Sequence, residues 1–188
     1  QPTSFIGRAR ELVELRQLLI DPACRLLTLV GPGGIGKTRL AIALAAQVRD
    51  RFPDGAWFVP LQGVSAVAYL PAAIADALRI PLRGSKAPRE QLADRLRAKQ
   101  LLLVADNFEH LLEDAALLVE ILGAAPGVKI LVTSRERLNL QGEWVFQVAG
   151  MPAPGGDRPD SIEQYGAARL FLERARQKSE LPFVLILD

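Results

Sequence analysis

The stretch Gly31-Pro32-Gly33-Gly34-Ile35-Gly36-Lys37-Thr38 constrains this chain more than any other. It is preceded by the apolar run Leu26 to Val30 and followed by the helix-forming stretch Arg39 to Val48, where Leu40, Leu44 and Val48 fall four apart on one face. Strand, glycine-rich turn and helix in that order are the context in which G-x-x-x-x-G-K-[ST] acts as a phosphate-binding loop. Glycines let the backbone turn around an anion with several N–H groups inward, Lys37 reaches the β and γ phosphates, and the Thr38 hydroxyl ligates Mg²⁺. The spacing also arises by chance in glycine-rich turns that bind nothing; the flanking strand and helix argue for the nucleotide site.

Around this turn there is enough chain for one sizeable core, or for one domain with part of another: 188 residues, 49% hydrophobic and 23% charged. No apolar stretch approaches the ~20 residues of a membrane span, and Gln1-Pro2-Thr3-Ser4 has no basic segment leading into an apolar one. A single cysteine, Cys24, forms no internal disulfide, and a single histidine, His110, leaves no soft-ligand cluster for zinc, so a reducing cytoplasm fits best. Net charge is +2, with arginines dispersed among acids, and no nucleic-acid surface or membrane partner is expected. The absence of an initiator Met and the apolar run Phe183 to Leu187 read as a piece of something longer.

In chain order, Phe5-Ile6-Gly7-Arg8 precedes a helix with Leu12, Leu15, Leu18 and Leu19 on one face, stopped by Asp21-Pro22. By themselves Phe5 to Arg8 are an ordinary hydrophobic staple and turn. Phe52-Pro53-Asp54-Gly55 turns into a second strand, Ala56 to Leu61, in which Trp57 is a core residue sooner than a ligand. Helices follow over Tyr69 to Leu78 and from Pro88, the latter carrying Leu92 and Leu96. Leu101 to Asp106 is a continuous apolar run ending in a carboxylate, as expected of a strand buried on both faces. A helix is expected over Leu111 to Leu122, a fourth strand over Val128 to Arg135 and a fifth over Trp144 to Val148. The Pro- and Gly-rich segment 151–160 reads as a linker, and Ser161-x-x-Gln164 opens a capping-box helix in a truncated module, 161–188, after a nucleotide-binding domain over 1–150.

Since ligands sit outside the carboxyl ends of parallel strands, Asp106 falls near Thr38 and holds Mg²⁺ through water; the competing reading is a cap or turn aspartate. Asn107 stands where a fast ATPase often carries the glutamate that activates water. An amide orients water but takes no proton, so general-base help worth roughly 10²–10⁴-fold is missing or comes from Glu109. Glu109 is equally a solvated residue of a first helical turn. Arg135 is a candidate γ-phosphate sensor, able to bind through two N–H groups, although a lone arginine at a strand end is more often a surface residue.

With the loop, Asp106-Asn107 and Thr133-Ser134-Arg135 in this order, the chain closely resembles the signal-transduction ATPases with numerous domains, the STAND class. Its sequence looks most like the ATPase domains of bacterial transcriptional regulators of the LuxR or SARP-associated kind. The resemblance implies a P-loop NTPase fold of three-layer α/β/α type, with a mainly parallel five-stranded ASCE sheet in the order 5-1-4-3-2. The Arg135 strand then lies between the loop strand and the Asp106 strand. It implies that Phe5, Ile6, Gly7 and Arg8 lie against adenine and ribose, segment 1–22 forming the adenine side. It also implies that Gly31, Pro32, Gly33, Gly34, Ile35, Gly36, Lys37, Thr38 and Arg39 bind ATP or ADP, that Thr38 and Asp106 anchor Mg²⁺, and that Lys37, Asp106, Asn107 and Arg135 serve hydrolysis. In the family a helical lid, repeats and effector domains follow the segment matched here.

The expected function is an ATP/ADP switch with slow Mg²⁺-dependent hydrolysis that controls oligomerisation and output of a larger regulator, with nucleotide-dependent self-association and DNA contact elsewhere in the parent protein. The alternative is a multiple-turnover ATPase or small-molecule kinase on the same core. A GTPase is disfavoured, since no Asn-Lys-x-Asp stretch occurs.

Overall fold

The computed structural model describes residues 8–150. The expectations placed on Phe5 to Gly7, on the 151–160 linker and on the 161–188 module lie outside the described residues. Two units are distinguished, one formed by Gln1–Glu11 with Ala149–Asp188 and the other by Leu12–Val148. In the first, the Arg8 guanidinium is almost fully buried and donates to Glu11 Oε1 at 2.6 Å and to the Ala149 carbonyl at 3.1 Å.

The second unit holds a five-stranded sheet: β1 (Leu26–Val30), β2 (Ala56–Pro60), β3 (Leu102–Asp106), β4 (Lys129–Ser134) and β5 (Glu143–Gln147). The order is β2-β3-β4-β1-β5 and every pairing is parallel. This is the 5-1-4-3-2 order expected from the resemblance. Burial explains which strands are central. All five residues of β1 are buried, as are the first four of β3 and the last five of β4, whereas β2 and β5 each keep exposed or half-exposed positions and form the edges.

Alternation along the strands divides the core into two layers. Leu26, Val59, Leu103, Ala105, Ile130 and Val132 join a cluster with α3 (Leu70–Ala77), α4 (Pro88–Leu96) and α5 (Ala116–Ala124). Leu27, Leu29, Leu102, Val104 and Leu131 face the other way, the side on which α2 (Lys37–Val48) buries Leu40, Leu44 and Val48. Helix α1 (Ala9–Ile20) buries Leu12, Leu15 and Leu19, leaving Leu18 half-exposed.

Two basic residues donate to carbonyls at helix C-termini. Arg25 donates to the carbonyls of Leu122 (2.8 Å), Ala125 (2.6 Å) and Val128 (2.9 Å) at the end of α5. The Lys129 amine donates to the carbonyls of Leu19 and Asp21 after α1. Burial lowers the pKa of both groups below their ordinary values. Each satisfies carbonyls that a helix C-terminus leaves without intrahelical partners.

Helix α2 begins at Lys37, within the last residues of the loop as expected, because Gly36 at φ 98° turns the chain directly into it. Other boundaries differ from the sequence expectation. The helix expected over Leu111 to Leu122 is instead two 3-10 turns, Phe108–His110 and Leu112–Asp114, followed by α5. The chain leaves β3 through Asn107 in the left-handed region (φ 67°) and buries Phe108 and Leu111, which postpones regular helix by a turn. Strand β5 starts one residue earlier than expected, at Glu143.

Candidate functional site

The parallel register brings the carboxyl ends of β1, β3 and β4 to one edge of the sheet. The loop leaves β1 there. The Gly31 N–H donates to the Ser134 carbonyl at 3.3 Å, and Val148 N–H donates to the Val30 carbonyl at 2.8 Å, so both neighbouring segments fix the loop's first residue. A Cβ on Gly31 would stand 2.9 Å from the Val148 carbonyl oxygen, while Gly34 and Gly36 have φ of 76° and 98°. These glycines are required by contact and by backbone geometry respectively. Pro32, Gly33 and Gly34 are exposed, and Ile35 and Arg39 are half-buried.

Lys37 lies beneath the loop, 9% exposed, donating to the carbonyls of Gly31 (2.7 Å) and Pro32 (3.0 Å). Burial lowers the pKa of this amine below lysine's ordinary value; Glu109 and Asp106 oppose the shift and Arg135 adds to it.

Asp106 meets the loop from the end of β3. Its Oδ1 accepts from the Thr38 hydroxyl at 2.7 Å and from the buried Thr133 hydroxyl of β4 at 2.6 Å. Thr133 in turn accepts from the Asn107 main-chain N–H at 2.9 Å. One hydroxyl thus ties β4 to β3 and orients the carboxylate toward Thr38. Sequence reasoning placed Thr133 in the Thr133-Ser134-Arg135 motif but gave it no role of its own; the available signal was a polar residue following the apolar run Ile130 to Val132 at the end of a buried-type strand.

Arg135, one residue beyond β4, extends over the loop. A Cβ on Gly33 would lie 3.5 Å from its Nη2, 3.6 Å from Cζ and 3.7 Å from Nε. Near-equal distances to three guanidinium atoms place the flat face of the group on Gly33. Its Nε lies 2.9 Å from Glu109 Oε1 in an ion pair. Glu109 does not behave as a solvated first-turn residue. Its side chain is 15% exposed, and its Oε2 is buried without a hydrogen-bond partner. His110 Nε2 lies 3.1 Å from the Val64 carbonyl and belongs to loop packing.

These residues fit a magnesium-bound nucleoside polyphosphate. Thr38 and Asp106 present hydroxyl and carboxylate oxygens 2.7 Å apart, the hard donors Mg²⁺ requires, and the positive-φ glycines with the Lys37 amine suit a phosphate chain. Chemically, the arrangement can hold an anion against backbone N–H groups, neutralise it with Lys37 and Arg135, and place a cation beside Asp106. No helix among the described residues is long and apolar enough to cross a membrane.

The profile of the AAA ATPase domain family matches residues 4–188, and the chain belongs to that family. Among relatives, it is 35% identical over 176 residues to an uncharacterized Mycobacterium tuberculosis protein, covering 93% of this chain and 42% of that one. It is 41% identical over 128 residues to an M. tuberculosis protein named as an HTH-type transcriptional regulator, covering 68% of this chain and 14% of the relative. With the regulatory protein AfsR of Streptomyces griseus it shares 34% identity over 145 residues, 71% of this chain and 14% of AfsR. The chain therefore spans less than half the length of these relatives. Among solved structures, it shares its fold with a STAND protein carrying a tetratricopeptide repeat sensor from Pyrococcus horikoshii, at TM-score 0.55 and 20% identity over 95% of this chain and 26% of the other. It also matches the Aeropyrum pernix ORC2 protein, solved as ADPNP and ADP complexes, at TM-score 0.54 and 18% identity over 69% and 41% of the two chains. The chain is thus an AAA-type ATPase domain with the P-loop NTPase fold, of a kind found in bacterial transcriptional regulators.

Proposed function

We propose that this domain is an ATP/ADP switch that binds nucleotide with Mg²⁺, hydrolyses ATP slowly, and through its nucleotide state controls the assembly and output of a larger regulator whose DNA-binding part lies elsewhere. The observation that carries the reading is the Thr38–Asp106 contact, made between residues 68 positions apart at the mouth of a glycine loop with a buried lysine beneath it. Gly31 to Arg39 take the phosphates, Thr38 and Asp106 hold Mg²⁺, and Arg135 contacts the γ-phosphate. The cation, when bound, neutralises phosphate charge and orients the terminal group. Thr133 keeps the Asp106 carboxylate aimed at that position, and Lys37 exchanges its loop carbonyls for phosphate oxygens.

Slow turnover follows from the shortage of a base. Asn107 offers an amide, and Glu109, the alternative, is ion-paired with Arg135 through Oε1. Single-turnover hydrolysis with Mg-ATP tests this: the switch reading predicts turnover in minutes or longer. Asn107→Asp, which suits the left-handed conformation at this position better than Glu, should raise the rate about tenfold or more. Fast multiple turnover by the unaltered chain would contradict the switch and favour a working ATPase.

A further inference from the structure

Glu109 is a charged group beside the loop to which the switch reading gives no task. It is held in a 3-10 turn directly after β3, with Phe108 fully buried before it, so its backbone is anchored. Its Oε1 lies 2.9 Å from Arg135 Nε in an ion pair, and its Oε2 is buried without a hydrogen-bond partner. The pair is asymmetric: the Arg135 side chain is 63% exposed and the Glu109 side chain 15%. An exposed arginine samples many rotamers, and the fixed partner in this pair is therefore the carboxylate.

The manner of contact decides what the pair does. The ion pair brings Glu109 Oε1 to Nε and no hydrogen bond joins the carboxylate to either terminal nitrogen, while the plane of the group rests on Gly33 with Nη2 as its nearest atom. A carboxylate competing with phosphate for Arg135 would occupy the terminal pair. One that takes Nε alone leaves that pair to accept a phosphate two-pronged, with the ion pair intact.

We propose that Glu109 is a positioning residue that braces Arg135 across Gly33, presenting its terminal nitrogens to the γ-phosphate and so setting the preference for triphosphate over diphosphate. The inference rests on the reading of Arg135 as the γ-phosphate contact. Bracing lowers the ordering cost of a long exposed side chain before ligand arrives, a gain realised only with a ligand that reaches it.

The test is calorimetric titration of the full chain with Mg-ADP and with a magnesium-bound non-hydrolysable ATP analogue, for the unaltered chain, Glu109→Gln, Glu109→Ala, Arg135→Ala and Glu109→Gln/Arg135→Ala. Arg135→Ala should lower the triphosphate-to-diphosphate affinity ratio about tenfold or more. Glu109→Gln, which keeps an acceptor and loses the charge, should lower it roughly threefold, and Glu109→Ala further still. In the Arg135→Ala background Glu109→Gln should leave the ratio unchanged, because Glu109 acts through Arg135. If Glu109→Ala does not fold, Glu109→Gln carries the test. A ratio that rises in Glu109→Gln would show a competitor, and one that stays constant while hydrolysis is lost would show a base; either overturns the brace. Failure of the unaltered chain to bind either nucleotide would instead defeat the nucleotide-switch reading itself.

Discussion

Thr133→Val removes one oxygen and keeps the side-chain shape, at a residue 1% exposed. That oxygen accepts from Asn107 N–H at 2.9 Å and donates to Asp106 Oδ1 at 2.6 Å. The first loss leaves a partly buried N–H without an acceptor, a cost of about 1–3 kcal/mol. The second is smaller than a charged hydrogen bond usually commands, because Asp106 is half-exposed and keeps the Thr38 hydroxyl, so water replaces most of it. The sum is about 2 kcal/mol, with the N–H dominating. Thr38→Val is the control: it removes a hydroxyl bound to the same carboxylate oxygen, but from an exposed side chain, and should cost less than about 0.5 kcal/mol. Urea unfolding at unchanged m-value measures both. Equal effects of the two substitutions, or a Thr133→Val midpoint within error of the unaltered chain, would refute the view that Thr133 ties β4 to the carboxylate.

Other consequences are independent of nucleotide. Arg25→Ala strips donors from three carbonyls at the end of α5 and should destabilise by about 2 kcal/mol in chemical denaturation. Gly127→Ala would place a Cβ 2.5 Å from the Lys99 carbonyl oxygen, a backbone atom that cannot swing aside, and should lower the melting temperature more than Gly63→Ala, where nothing lies within 4 Å. Burial pushes the Cys24 thiol from 9.0 up to about 11. Its folded pKa is raised, so its stabilising contribution is complete below pH 9 and is lost as pH rises toward 11, by about 2–3 kcal/mol in all. Lys129 titrates with the opposite sign, so the comparison is between the unaltered chain and Cys24→Ala, whose stability should fall less across that window.

The parts of the fold that could be read in advance are those dictated by local pattern. Leu26 to Val30, Leu101 to Asp106 and Val128 to Arg135 each contain an apolar run too continuous for a surface, and each became a central strand. The loop motif was legible because glycine conformations and a lysine at fixed spacing are a local requirement. Strand order was not local; it came from the resemblance. Thr133, Glu109 and Arg25 were missed or misread because their partners lie 26 to 103 residues away in sequence, and a single polar residue carries no period that would reveal such a contact. The helix expected over Leu111 to Leu122 is present but begins later, at Ala116, since its apolar spacing is helical while the left-handed exit at Asn107 delays it.

The central claim is that this loop holds a magnesium nucleotide through Lys37. Calorimetric titration with Mg-ATP, comparing the unaltered chain with Lys37→Ala, tests it most directly. The account predicts saturable one-to-one binding by the unaltered chain and loss of nearly all affinity on removal of the buried amine. Unchanged affinity in Lys37→Ala would contradict it.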